Sequence, residues 1–159
     1  QLEKVKKNLP KKSLLKAKHN VFSDSHISNL TGKKEETIRN QRKRMNITSS
    51  FLMVDTCAGE FEAKTPYFYS TYSDPKSEYK IGKSIVILGS GPIRIGQGIE
   101  FDYSTVHGVQ AVRKAGYEAV VVNNNPETVS TDFDASDRLY FEPLDAESIF
   151  EILDVEKPY

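Results

Sequence analysis

The 159 residues suffice for one domain or two small ones, and 38% hydrophobic residues with nine glycines allow a core while leaving some stretch too polar to join it. No apolar run reaches the ~18 residues of a membrane-spanning helix, and the single cysteine, Cys57, excludes an internal disulfide framework and a multi-cysteine zinc site. The net charge of zero conceals a division: residues 1–50 hold 13 Lys+Arg against 4 Asp+Glu, residues 51–159 hold 9 against 18, and two units with different surfaces account for this better than one.

Residues 1–50 predict short polar helices. Leu14, Leu15, Ala17 and Lys18 give one or two turns with a thin apolar stripe. Ser23 or Asp24 is suited to cap a second helix carrying Ile27 and Leu30, and Thr31-Gly32 supplies its stop. Lys34 to Arg44 predicts a third helix, with Glu35 and Glu36 in the first turn and Arg42, Lys43 and Arg44 in the last, an order that suits the helix dipole. Residues 51–82 predict an extended linker. Phe51 to Val54 reads as a strand or arm, the aromatic stretch Phe61, Tyr67, Phe68, Tyr69 and Tyr72 as a segment draped over a neighbouring domain, and Ser73 to Gly82 as a polar connection.

The pattern sharpens at Lys83. Ser84-Ile85-Val86-Ile87-Leu88 has the unbroken β-branched character of a strand buried on both faces in a parallel sheet. A helix follows from about Gly98 to Ala115, then a second buried strand at Glu118 to Val122, a third at Arg138 to Phe141, and a helix capped by Asp145. The order β-α-β-loop-β-α begins a doubly wound α/β sheet.

Gly89-Ser90-Gly91-Pro92-Ile93-Arg94-Ile95-Gly96-Gln97-Gly98 follows the first strand, at the edge where open parallel sheets bind ligands. A dinucleotide fingerprint would place its third glycine at position 94, which is Arg94, and an acidic residue at the end of the second strand, which ends in asparagine. The spacing therefore argues against a dinucleotide and for a turn that starts the helix. Arg94, Glu100, Asp102 and Glu127 all fall at this carboxyl edge, where charged side chains face a crevice or a partner. An Arg94–Glu100 surface ion pair is the plainer alternative, and the pattern leaves both open. Asn123 to Asp132 is rich in turn-forming side chains. Asp132, Asp134 and Asp137 lack the glycine and terminal acid of a calcium loop, and His19, His26 and His107 share no ligand spacing with Cys57. The sequons at Asn29 and Asn46 read as chance. Ser23 to Arg44 imitates a helix-turn-helix, but Glu35 and Glu36 stand where a recognition helix meets base edges.

The run Gly91 to Tyr103, with Asn125-Pro126-Glu127-Thr128-Val129-Ser130-Thr131-Asp132 and Asp137-Arg138-Leu139-Tyr140-Phe141-Glu142, closely resembles the large chain of carbamoyl phosphate synthetase at the start of its second synthetase half. Val54-Asp55-Thr56-Cys57-Ala58, Phe61 and Tyr69-Ser70-Thr71-Tyr72 resemble the segment joining that half to the preceding oligomerisation region, which residues 1–50 match loosely. Gln1 and the abrupt end at Tyr159 accordingly read as limits of a piece of a longer protein. The resemblance implies a helical oligomerisation fragment over 1–50, a linker over 51–82 and a truncated Rossmann-like pre-ATP-grasp domain over 83–159. It implies an enzyme that makes carbamoyl phosphate from bicarbonate, glutamine-derived ammonia and two ATP, with ATP and Mg2+ or Mn2+ bound in downstream ATP-grasp parts. This piece would then hold no catalytic residue, cofactor or metal and would be inactive alone. The matching positions Arg94, Glu100 and Glu127 would line the internal passage for carbamate; Ile93 and Asn124 depart from the usual family residues beside them.

Further implications are a glutaminase subunit or domain as partner, the remaining ATP-grasp domains of the same chain, an oligomer formed through the helical region, no nucleic acid or membrane, and a cytoplasmic or mitochondrial setting for arginine or pyrimidine synthesis. The rival readings are the corresponding domain of another ATP-grasp ligase, such as a biotin carboxylase, and a basic helical adaptor or nucleic-acid-binding module. The linker around Asp55-Thr56-Cys57 argues against the first.

Overall fold

The computed structural model describes residues 9–61, 65–73 and 82–159, and packing divides the chain into two units, Gln1–Ser50 with Thr71–Lys76 and Phe51–Ser70 with Ser77–Tyr159. In the first unit, α1 (Lys11–His19), α2 (Asp24–Thr31) and α3 (Glu35–Arg44) each offer few apolar positions. The Ser23 side chain accepts the His26 N–H and so caps α2, and Gly32, at φ 71°, ends it. Leu9, Leu14, Ala17, Ile27, Ile38 and Ile47 form the core, with Leu15, Met45 and Tyr72 against it.

That core is small, and a buried charge cluster completes it. Asp24 accepts hydrogen bonds from Arg42 Nη2 at 3.0 Å and Lys18 Nζ at 3.2 Å. Arg42 also donates to the Ile47 carbonyl, Lys18 donates to the Phe22 carbonyl, and the Tyr72 ring lies 5.3 Å from Lys18 Nζ and 5.8 Å from the Arg42 guanidinium carbon. Desolvating such groups is costly, and hydrogen bonding offsets it only while the set is intact.

The second unit holds a five-stranded sheet: β1 (Ser50–Met53), β2 (Tyr67–Thr71), β3 (Ser84–Leu88), β4 (Glu118–Val122) and β5 (Arg138–Tyr140), in the order β1-β2-β5-β4-β3. The pairs β2/β5, β5/β4 and β4/β3 are parallel. Alternate residues of β4 supply two cores, as the pleat requires. Val120 and Val122 pack with Phe51, Phe68, Tyr140 and Ile152 of α5 (Ala146–Glu156), whereas Ala119 and Val121 pack with Leu139 and Val109 of α4 (Tyr103–Lys114). Helices thus cover both faces, and the α/β, doubly wound expectation describes the sheet.

Two details differ from expectation. The segment read as an extended linker supplies β1 and β2, because Tyr67 and Phe68 pair with Leu139 and Tyr140 at an otherwise open side of β5. Most of its polar part, 73–82, lies outside the described residues. The helix expected from Gly98 begins instead with a 3-10 turn, Ile99–Asp102, before α4 proper.

At the amino-terminal edge of the sheet Arg138 binds Glu156 through Nε and Nη2 at 2.8 and 2.9 Å and pairs with Glu118 at 2.8 Å. Tyr140 and Ser84 donate to the same Glu156 carboxylate. These bonds raise the Arg138 pKa above its ordinary value, although burial, the largest single influence, works the other way.

Asp24→Ala leaves Lys18 and Arg42 facing each other without their shared acceptor. We expect a loss of about 3–5 kcal/mol in urea unfolding followed by helical circular dichroism; a loss under about 1 kcal/mol would show that the cluster does not hold the helices together.

Candidate functional site

Three parallel strands, β3, β4 and β5, send their following segments to one edge, so sequence-distant residues meet there. Gly89 continues the ladder, its N–H donating to the Val122 carbonyl at 2.8 Å. The register that pairs Leu88 with Val122 next sets Gly89 beside Asn123. Asn123 is fully buried, and a Cβ built on Gly89 would lie 2.6 Å from its Cγ. Glycine is required there because the asparagine fills that space. Asn123 Oδ1 in turn accepts the Gly91 N–H at 3.1 Å, with Gly91 at φ 70°.

The rest of the glycine loop is fixed by its own polar groups. Gln97 Oε1 accepts the Arg94 N–H at 2.8 Å, while the Gln97 N–H donates to the Arg94 carbonyl at 3.0 Å. Asn125 Nδ2 reaches the Gly91 carbonyl at 3.4 Å, and Asn125 Oδ1 accepts the Glu127 N–H at 3.0 Å. Ser90 donates to the Phe101 carbonyl at 3.3 Å. Asp102, 1% exposed at the start of α4, accepts the Ser130 N–H at 2.8 Å in the 3-10 turn Val129–Thr131, which a reciprocal Thr128/Thr131 capping box also closes.

These ties place the sequence-derived residues. Arg94 is on the glycine loop, Glu100 on the 3-10 turn before α4, and Glu127 on the loop after β4, all at the carboxyl edge and all exposed. The Arg94–Glu100 ion pair left open by the pattern does not form, and none of the three pairs with a described residue. The Glu100 carboxylate lies over Gly98, in the space a Cβ there would fill. Ile93, Ile95, Tyr103 and Val129, all more than half exposed, alternate with the charges along this rim. Asp102, grouped with the exposed charges on sequence, is internal. Its Oδ1 and Asn123 Nδ2 are buried with no hydrogen-bond partner.

Among the described residues no three His, Cys, Asp or Glu side chains gather as a metal site. Asp137, from the aspartate-rich stretch, binds Arg113 at 3.0 Å and accepts the Ala119 N–H at 2.7 Å. Burial pushes its carboxyl up, but these bonds outweigh burial and hold it below the ordinary range. No helix of the described residues is long and apolar enough to cross a membrane.

Residues 81–159 match the carbamoyl phosphate synthase preATP-grasp domain, and residues 1–46 match the oligomerisation domain of the carbamoyl-phosphate synthetase large chain. The chain belongs to the carbamoyl phosphate synthetase large-chain family, a family of ligases. The first match begins just before β3, so β1 and β2 precede it in sequence yet share its sheet.

Two residues that tie this edge together, Asn123 and Glu142, escaped the sequence reading, and Asp102 entered it as an exposed charge. Glu142, 7% exposed just after β5, accepts the Ser70 N–H at 2.5 Å and so pins the end of β2. Burial raises its pKa, the Ser70 N–H opposing, with Asp145 adding to the rise. A carboxyl whose folded pKa is raised destabilises the fold above that pKa and ceases to do so as pH falls below the unfolded value. Glu142→Gln is therefore expected to melt above the parent at pH 7 and together with it below about pH 4. Equal melting at both pH values would show that the carboxylate is accommodated without penalty.

Gly89→Ala is expected to destabilise by about 2 kcal/mol through contact with Asn123. Most of that loss should vanish in an Asn123→Ala background, measured as a double-mutant cycle by urea unfolding. Additive losses would rule out Asn123 as the reason for the glycine.

Proposed function

We propose that this chain is part of a glutamine-dependent carbamoyl phosphate synthetase and that its carboxyl edge forms wall of the passage delivering carbamate to the half that phosphorylates it. One observation carries the reading: Arg94, Glu100 and Glu127 stand on segments leaving one sheet edge and cross-tied through Gly91, Asn123, Asn125 and Ser90. Exposed Ile93, Ile95, Tyr103 and Val129 beside them suit a rim that other parts of the parent protein close over. The unpaired Asp102 Oδ1 and Asn123 Nδ2 suit a polar interior beneath it.

The mixture of signs has a physical role. Carbamate is an anion that decomposes in bulk water, so the route must exclude solvent without binding the traveller. A guanidinium alone at about 4 Å would attract a carboxylate-like ion by about 4 kcal/mol at an effective dielectric constant of ~20, enough to slow its departure roughly a thousandfold. Two carboxylates on the same rim, Glu100 and Glu127, offset that attraction. Arg94 draws the anion in, and the acids prevent a trap.

In this reading ATP with Mg2+ or Mn2+ is held by ATP-grasp regions of the parent protein and supplies the phosphoryl group, while the present residues bind none of it. A glutaminase subunit or domain supplies the ammonia, the helical unit takes part in oligomerisation, and the enzyme works in the cytoplasm or the mitochondrion.

Glu127→Lys in the whole enzyme turns two acids and one base into one acid and two bases. Bicarbonate-dependent ATP hydrolysis is expected to stay within about twofold of the parent while carbamoyl phosphate formation falls about tenfold or more. Equal loss of both activities would end the passage reading.

A further inference from the structure

The loop after β4 holds Gly91 by both of its backbone groups. Asn123 Oδ1 accepts the Gly91 N–H at 3.1 Å, and Asn125 Nδ2 donates to the Gly91 carbonyl at 3.4 Å. A third bond orients the Asn125 amide, since its Oδ1 accepts the Glu127 N–H at 3.0 Å and leaves the nitrogen for the carbonyl. Pro126 stands between, where it fixes its own φ and restricts the backbone of Asn125.

The two asparagines act at different depths. Asn123 is fully buried and packs against Gly89, so it belongs to the interior of the edge. Asn125 is half-buried and bonds to both rim segments: Gly91 lies three residues before Arg94, and Glu127 two residues after Asn125 itself. Among the described residues no other side chain bonds to both. The Arg94–Gln97 bonds knit the glycine loop to itself and set no distance to the segment after β4. Glycine backbone, with Gly91 at φ 70° and Gly96 at φ 89°, leaves this loop many conformations, and one carboxamide restrains them against Glu127.

We propose that Asn125 is a positioning residue of the passage, its carboxamide setting the gap between the Arg94 and Glu127 segments and so keeping bulk water from the anion in transit. The inference rests on the passage reading. The bridge needs a donor at one end and an acceptor at the other, which a carboxamide has and a carboxylate lacks. Asn125→Asp is therefore the discriminating change: one oxygen still takes the Glu127 N–H, while the other meets the Gly91 carbonyl with no proton between them. Asn125→Ser supplies an uncharged control, for its hydroxyl can accept the Glu127 N–H but is too short to span to Gly91.

The measurement is the ATP consumed by the whole enzyme per carbamoyl phosphate formed. Asn125→Asp should raise that ratio about threefold or more and Asn125→Ser about twofold, because carbamate that escapes decomposes after its ATP has been used. Two partial rates should stay within about twofold of the parent, since neither needs carbamate to cross: bicarbonate-dependent ATP hydrolysis, and the reverse transfer in which carbamoyl phosphate and ADP give ATP and carbamate. A parallel fall of both partial rates and of product formation in both variants would show a merely structural role and overturn the proposal. With Glu127→Lys raising the ratio and both Asn125 variants at the parent value, the clamp falls and the passage stands. If Glu127→Lys leaves the ratio unchanged as well, the passage reading has failed and the clamp with it.

Discussion

A side chain with no access to water, Asn123, organises the carboxyl edge by occupying the space that Gly89 leaves empty and then taking the Gly91 N–H. β4 delivers it there: four of its residues are fully buried, it pairs on both sides, and it cannot shift register without moving two cores at once. The glycine loop is therefore shaped from below, by the strand. Arg94, Glu100 and Glu127 stand on the segments so placed, at the carboxyl edge. Each is exposed and free of ion pairs among the described residues, so the segments beneath them, and no mutual attraction, set where they stand.

Both units supplement small apolar cores with buried ionic groups, and they do so in different ways. In the helical unit one acid serves two bases, Lys18 and Arg42, under the face of Tyr72. In the sheet unit one base serves Glu156 and Glu118, with Tyr140 and Ser84 completing the Glu156 carboxylate. Such sets specify geometry more than they stabilise, since a partner displaced by an ångström leaves a desolvated charge behind. The second also offsets an unfavourable choice in α5, whose last residue is an acid at the negative end of the helix dipole.

What was legible in the sequence was local. Ser84–Leu88 and Glu118–Val122 declare buried parallel strands through unbroken apolar runs, and the capping side chains of Ser23 and Asp145 and the left-handed Gly32 mark helix ends. β1 was half legible, as the strand or arm at Phe51 to Val54, and β2 was not, because Tyr67–Thr71 is a strand by virtue of Leu139 and Tyr140, some seventy residues away. The same distance hid the interior of the site. Asp102 sits two residues from Glu100 in the same acidic run, and only its phase at the start of α4 turns it inward to Ser130. Asn123 reads locally as a turn former. Its role is written in a pair, since extending the Leu88–Val122 register by one residue sets a glycine beside an asparagine.

In the helix-turn-helix likeness of residues 23–44, part of the basic charge is taken up inside the fold. The layout exists: α2, a glycine stop, then basic α3. Yet Arg42 is fully buried on Asp24, and Ile38 on the same helix enters the core, so the side of α3 that bears them faces inward. The first turn, where a recognition helix would present itself to base edges, offers exposed Glu35 and Glu36. The basic surplus of this half is thus partly structural, and the stretch 19–32, which holds no Lys or Arg, interrupts it where Val21 stands out from the surface.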